Sequence, residues 1–328
     1  MALPDRIASR LAIPVICAPM FLISEPQLVV AACKAGVLGS FPRQNTRTRE
    51  DFEAWLRQIR EELDAWTEAT GRVPGPIAVN IPTTLDPADI AADLDVCVRY
   101  GVDIIITSVG KPHEVTRLAH DRGLLVYHDV TTIAFAEKAI DAGVDGLNCI
   151  GAGGGGHSGT VSHLALIPKI RSIYDGTIAL AGAVSTGSVV RAGEILGADL
   201  AFMGSRFAAT VESHAHAQQK QWMVAGASKD LSFTPKVNGM PANWMLASLA
   251  AHGIDLGALP EPVQRGHDHL PEGVHPWRDL WSAGQGIELI DDIPSVAELV
   301  DRLAAEYLAA CAMPDRSPQA RRHLAVRS

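Results

Sequence analysis

Residues 124–151 read LLVYHDVTTIAFAEKAIDAGVDGLNCIG. Two apolar runs, LLVYHDV (124–130) and GLNCIG (146–151), flank a segment over 132–142 that fits a helix. The runs show little period-2 alternation. Strands buried on both faces read this way, which means a parallel sheet covered by helices. The same unit recurs in both directions, in VICAPM (15–20), VLGSF (37–41), IAVNI (77–81), DIIITSVG (103–110), IALAGAV (178–184) and LAFMGSRF (200–207). Helices fit 26–35, 113–122, 162–174, 188–196 and 213–225 between them. In DFEAWLRQIREELDAWTEATG, the residues Phe52, Trp55, Leu56, Ile59, Leu63 and Trp66 form one apolar stripe closed by Gly71. The segment DPADIAADLDVCVRYG opens acidic and ends on Gly101, as a helix dipole and a C′ glycine prefer. Eight strand–helix units in about 225 residues are the arithmetic of a (β/α)8 TIM barrel. A doubly wound sheet competes, because the pattern alone does not show closure.

Residues 228–283 break the rhythm, with six prolines, no clear buried strand and a short helix expected at 243–252. This excursion after the eighth strand could cover the barrel mouth. The amphipathic stretch SVAELVDRLAAEYLAAC (295–311) then returns to the barrel wall. The expected division is a barrel over 1–212 and 284–313, a small lid or substrate domain over 213–283, and a flexible tail over 314–328.

The 328 residues carry 28 Lys+Arg against 37 Asp+Glu, a net charge of −9, which argues against a protein held on nucleic-acid phosphates. Cys17, Cys33, Cys97, Cys149 and Cys311 form no C-x-x-C pair, so neither a disulfide framework nor a zinc ribbon is expected. No apolar run is long enough to span a membrane and the N-terminus lacks signal-peptide character, so a cytoplasmic location is the expectation. His267, Asp268, His269 and His275 cluster in sequence, as do His214 and His216. None has the H-E-x-x-H register, and no metal site is expected. A serine hydrolase is disfavoured for want of G-x-S-x-G.

In a parallel barrel the carboxyl ends of the strands share one mouth. Those ends are Pro19-Met20, Ser40-Phe41, Asn80, Ser108-Gly110, His128-Asp129, Gly151 onwards, Gly182-Ala183 and Gly204-Ser205. The loop GAGGGGHSGT (151–160) contains a formal G-x-G-x-x-G, but it sits after the sixth strand and too far from the next helix for a dinucleotide fingerprint. Its bare backbone, Gly154 and Gly155 included, lets a flat ligand approach the N–H groups and holds the His157 imidazole over it. Gly182 and Gly204-Ser205 end the last two strands, where barrels often grip a phosphate.

These strand ends, together with the downstream stretches ESHAHAQQK (212–220), FTPKVNGMPANW (233–244) and SAGQG (282–286), make the chain resemble the nitronate monooxygenase family of FMN-dependent barrels, relatives of FMN-dependent enoyl-acyl-carrier-protein reductases. The resemblance rests on Ala18-Pro19-Met20, Asn80, the G-H-x-G of Gly156-His157-Ser158-Gly159, and MGSRF (203–207). It implies that Ala18, Pro19, Met20 and Asn80 hold the isoalloxazine of FMN. It further implies that Gly182, Ala183, Gly204 and Ser205 wrap the phosphate, and that His157 is the base. Two positions depart from the family pattern. Gly153-Gly154 replaces a Glu-Ala pair, and Asp129 stands where a lysine is common, so an acid at the flavin edge is expected to alter cofactor contacts and substrate choice.

The expected reaction is oxidation of alkyl nitronates, or of nitroalkanes, with O2 to a carbonyl compound and nitrite. The alternative is NAD(P)H-dependent reduction of an enoyl thioester or another activated alkene. A third reading keeps the phosphorylated ligand but gives the barrel a lyase, isomerase or binding role. For an acyl carrier, Arg43, Arg47, Lys111 and Arg206 could supply a basic rim. The expected partners are a small-molecule substrate and O2, with a homodimer left open.

Overall fold

A computed structural model describes residues 2–262 and 264–313. The expected tail, 314–328, lies outside the described residues. The strands in chain order are β1 (Val15–Cys17), β2 (Gly39–Pro42), β3 (Ile77–Asn80), β4 (Ile104–Thr107), β5 (Leu125–Val130), β6 (Gly146–Ile150), β7 (Gly156–His157), β8 (Thr177–Ala181), β9 (Leu200–Met203), β10 (Leu231–Thr234) and β11 (Ala242–Met245). Eight of them form one parallel sheet in the order β1-β9-β8-β6-β5-β4-β3-β2.

That sheet closes on itself. The Cys17 N–H donates to the Leu38 carbonyl at 2.8 Å and the Leu38 N–H donates to the Val15 carbonyl at 3.0 Å, so β1 and β2 are joined in parallel. The fold is therefore a (β/α)8 barrel, and the doubly wound alternative falls because an open sheet keeps two unpaired edges.

Alternation along each strand separates two apolar cores. Ile16, Leu38, Ala78, Ile104, Ile106, Tyr127, Ala179 and Leu200 fill the barrel interior, and Leu3 and Ile7, the latter on the short helix Asp5–Ala8, join them. The intervening residues, such as Ile105, Val126, Leu147 and Leu180, face the surrounding helices. One of these is Arg49–Thr70, opened by a reciprocal Thr48–Asp51 cap and closed by Gly71 at φ 69°. Its Phe52, Leu56, Ile59 and Leu63 are buried, as the stripe predicts. The last helix, Val296–Cys311, packs on Gly187–Leu196, where the Gly187 N–H donates to Glu306 at 2.7 Å.

Continuing the alternation upwards by two residues changes the chemistry of the interior. Above the apolar layer lie Ser40, Asn80, Asp129 and Asn148, so the floor of the mouth is polar. His128 is one residue out of phase and faces the helices instead, bonded through Nδ1 to the Thr107 hydroxyl at 2.7 Å. It is therefore not a mouth residue, although it ends a strand.

The excursion holds more strand than its composition suggests. β10 pairs antiparallel with β11, and β11 pairs with β7, the two-residue strand inside the glycine loop. All four residues of β11 are buried, so the helix expected over 243–252 starts three residues late and runs over Leu246–Ala251. The sequence hides β11 because its burial comes from Trp277 and Leu280, which follow more than thirty positions later. No helix among the described residues is long and apolar enough to cross a membrane.

Candidate functional site

The loop between β6 and β8 is folded by its own hydroxyl. Ser158 Oγ accepts from the Gly154 N–H at 3.0 Å and lies 3.0 Å from the Gly151 carbonyl, drawing the glycines into a compact turn. The turn is pinned from three sides. Asn243 on β11 donates through Nδ2 to the Gly154 carbonyl at 2.7 Å, and the Gln285 N–H donates to the Gly153 carbonyl at 2.8 Å. From below, the His163 ring reaches the Gly182 carbonyl through Nε2 at 3.0 Å.

Its glycines are demanded by close approach. A Cβ on Gly155 would stand 2.8 Å from the Gly284 nitrogen and 3.2 Å from Ser205 Oγ, and one on Gly182 would stand 3.1 Å from the Gly154 nitrogen. Ser205 Oγ itself accepts the Gly284 N–H at 2.8 Å. At the neighbouring strand end, a Cβ on Gly204 would meet Met20 Sδ at 3.7 Å and Ala18 Cβ at 3.9 Å. The structure thus gathers Ala18, Met20, Gly154, Gly155, Gly182, Gly204 and Ser205 along one arc of the mouth, with Pro19 and Ala183 between them. Asn80 and Asp129 stand on the facing arc, at the ends of β3 and β5.

The arc leaves backbone donors unused. Among the described residues, the N–H groups of Gly182, Ala183, Val184, Ser185 and Gly204 have no protein acceptor. The first-turn amides of the helix Ser205–Ala208 lack intrahelical acceptors by geometry. Ala183 is held at φ 55°, a strained conformation for a residue with a Cβ, and Gly182 beside it has φ 114°. Converging amides of this kind suit an anion such as a phosphate.

The polar floor is short of a donor. Asn148 donates through Nδ2 to Asp129 Oδ1 at 2.9 Å, while its own Oδ1 is buried without a partner. Burial pushes the Asp129 carboxyl up to about 7, opposed by the Asn148 hydrogen bond. Burial thus favours the neutral form of the acid expected to repel a flavin or a phosphate, which softens that repulsion. A flat cofactor offering N–H donors and a phosphate fits these groups, on the orphaned Asn148 oxygen and the unused amides alone.

His157 sits on β7, at the edge of the mouth and under the excursion. Burial holds its imidazole down to about 4, and the Arg265 cation acts in the same direction, so the ring is neutral at pH 7. Asn238 Nδ2 lies 3.4 Å from its Nε2, and the Trp277 ring meets it edge-on at 5.0 Å. Sequence reasoning missed Asn148, Asn238, Asn243 and Trp277. Asn148 was legible, as an inward position two residues after Gly146; the others come from the excursion, whose fold the sequence does not advertise. The expected basic rim is weaker than its residue types suggest. Arg43 is spent on the buried Asp93 at 2.8 Å and the buried Arg206 on Asp292 at 3.1 Å. His267 and His275 meet through Nε2 and Nδ1 at 2.9 Å, while among the described residues no group of three or more His, Cys, Asp or Glu side chains gathers as a metal site.

Comparison with known proteins agrees with this geometry. A family model described as nitronate monooxygenase matches residues 7–306. A curated nitronate monooxygenase from Pseudomonas aeruginosa is 26% identical, over 92% of this chain and 99% of that protein. A Rhodococcus jostii protein named (3aS,4S,5R,7aS)-5-hydroxy-7a-methyl-1-oxo-octahydro-1H-indene-4-carboxyl-CoA dehydrogenase is 27% identical over 70% of this chain. The match spans only 61% of that relative's length. A solved nitroalkane oxidase from Streptomyces ansochromogenes shares the fold, with a TM-score of 0.74 at 24% identity over 93% of this chain and 98% of that one.

Proposed function

The chain belongs to the nitronate monooxygenase family, whose members are flavin-dependent oxidoreductases, and on that premise we propose that it uses FMN and O2 to oxidise alkyl nitronates to carbonyl compounds and nitrite. The observation that carries this reading is the neutral His157 imidazole poised beside the arc of unused amides. FMN supplies the electron transfer and the oxygen chemistry when bound. Gly182, Ala183, Gly204 and Ser205 would grip its phosphate through backbone N–H groups, and Ala18, Pro19, Met20, Gly154 and Gly155 would line its ring. Asn80 and Asp129 would meet it from the facing arc. His157, uncharged at pH 7, holds a lone pair that can take a proton from the carbon bearing a nitro group, should the substrate arrive as the neutral nitroalkane. The segment 213–283 would act as a lid on a barrel formed by 1–212 and 284–313, because Asn238 and Trp277 reach His157 from it, where they would help keep water away.

The test is direct. The purified protein should show a flavin spectrum and release nitrite from ethylnitronate under air, while His157→Asn keeps FMN and loses activity on neutral nitroalkane. A colourless protein that takes up no added FMN overturns the proposal.

A second reading, redox chemistry on an activated thioester, is favoured by the CoA-thioester relative from Rhodococcus jostii. Against it stands the rim, where the pairing of Arg43 and Arg206 leaves Arg47 and Lys111 as the cations without an ion pair among the described residues. Rapid flavin bleaching by NADH without nitrite from nitronate would select it.

A further inference from the structure

His157 is oriented by a side chain whose own orientation is fixed. Asn238 Oδ1 accepts the Met240 N–H at 3.1 Å, closing a local side-chain turn. Flipping that amide would set its NH2 against the Met240 N–H, donor to donor, and leave a backbone donor unmatched. The NH2 group therefore faces His157, with Nδ2 3.4 Å from Nε2. The Asn238 carbonyl is tied in turn to the Gly266 N–H at 3.3 Å, which holds the turn against the Arg265 segment.

We infer that Asn238 is a positioning residue that fixes His157 as the tautomer with its proton on Nδ1 and an unprotonated Nε2 as the working base. This rests on the reading of His157 as the base. An amide NH2 can only donate, so the ring nitrogen facing it must accept, and an accepting imidazole nitrogen carries no proton. The same NH2 opposes the imidazolium, whose Nε2–H would point at another donor. Of the charged groups on the elements packed around the ring, Arg265 adds to this opposition. Lys236 is turned to the Leu256 carbonyl and Asp279 is held by Arg278 and the His275 N–H, so neither relieves it. At 3.4 Å the Asn238 contact is long and weak, which lets a substrate C–H displace it as the proton arrives.

The consequence is a base kept ready rather than a strong one. Nε2 stays empty through the neutral range, and the proton it accepts is destabilised, so it is readily passed on.

The experiment is a long-range proton–nitrogen NMR titration of the FMN-loaded, full-length protein carrying labelled histidine, with His157 assigned from His157→Gln. The wild type should show Nδ1 protonated and Nε2 bare at pH 7. Asn238→Asp keeps the oxygen that the Met240 N–H requires and replaces only the donor. It should move the proton onto Nε2 and raise the ring's midpoint by at least one pH unit, about a tenfold change in proton affinity. Asn238→Ala should shift both in the same direction by less. A wild-type ring protonated on Nε2, or an Asn238→Asp ring unchanged in tautomer and midpoint, overturns the inference. The wild-type spectrum decides even if a variant fails to fold. Full activity of His157→Gln on a neutral nitroalkane would instead sink the base reading and leave the tautomer result standing.

Discussion

The imidazole of His157 and the indole of Trp277 meet edge to face, with ring centroids 5.0 Å apart and planes at 87°. Trp277 reaches that position from a left-handed backbone at φ 61°, and its other neighbour is the fully buried Trp244 at 5.2 Å. Trp277, backed by Trp244, thus covers one side of the histidine. Much of the depression of its pKa is a burial effect, and this cover supplies part of that burial.

Trp277→Ala should therefore rewet His157. Its midpoint is expected to climb from about 4 towards the ordinary 6.5, seen by histidine NMR or as an upward shift of the ascending limb of the pH–rate profile. Loss of the aromatic pair and its buried area should cost on the order of 2 kcal/mol of stability. A midpoint still near 4 would mean that Trp277 does not shield the ring.

Stability should rise with pH on the acid side and level off above about pH 6.5. His128 and His157 are held near 4 in the folded chain against an ordinary 6.5, so between those values the unfolded chain binds two protons that the fold refuses. Their contribution is full above pH 6.5 and lost as the pH falls. Asp129 acts oppositely. Raised from 3.8 to about 7, it keeps a proton in the fold that the unfolded chain releases, and its contribution is lost as the pH rises through 7. These two histidines against Asp129 leave a net slope of about 1.4 kcal/mol per pH unit on the acid side, which His163, also lowered by burial, steepens. Urea midpoints at pH 5, 6.5 and 8 check this. Asn in place of Asp129 should steepen the acid-side fall and let stability go on rising from pH 6.5 towards pH 8. Equal wild-type midpoints at pH 5 and 6.5 would contradict the assignment.

The barrel was legible because its strands are buried on both faces and need no partner to be recognised. Runs such as DIIITSVG carry their fold in eight residues, and the strand ends then follow by counting. Gly155, Gly182 and Gly204 could be placed at the mouth for that reason. Closure was not legible, since the bond from Cys17 to Leu38 depends on barrel geometry rather than on either segment. His128 misled because a strand end has two faces, and only the phase set by Tyr127 turns it outwards. β11 and Asn238 stayed hidden because their partners, Trp277 and His157, lie tens of residues away. Local pattern cannot encode a contact between segments that lack one.

Gly155→Ala should weaken FMN binding without unfolding the barrel. The added Cβ would sit 2.8 Å from the Gly284 nitrogen and 3.1 Å from the Ala283 carbonyl carbon, both backbone atoms that cannot rotate aside. The loop must back away from the Ser205–Gly284 contact, at a cost typical of overpacking, about 1–3 kcal/mol. Spent on loop docking, that cost predicts a rise of about 5- to 150-fold in the FMN Kd by flavin fluorescence titration. The melting temperature of the FMN-free protein should stay close to wild type, because the loop lies outside both apolar cores. Unchanged affinity would remove Gly155 from the cofactor cradle.

Ala183→Gly should separate strain from binding. Ala183 holds φ 55° beside Gly182, where a Cβ costs about 1–2 kcal/mol and glycine costs nothing sterically. Glycine in turn loses about 0.5–1 kcal/mol more backbone entropy on folding. The difference predicts a gain of up to about 1 kcal/mol in the FMN-free protein, read from urea unfolding. The conformation that glycine relieves is the one that presents the unused amides of Gly182, Ala183 and Val184, so the FMN Kd should be unchanged or lower. A variant that is more stable but several-fold weaker for FMN would show that the Ala183 methyl group itself serves the cofactor.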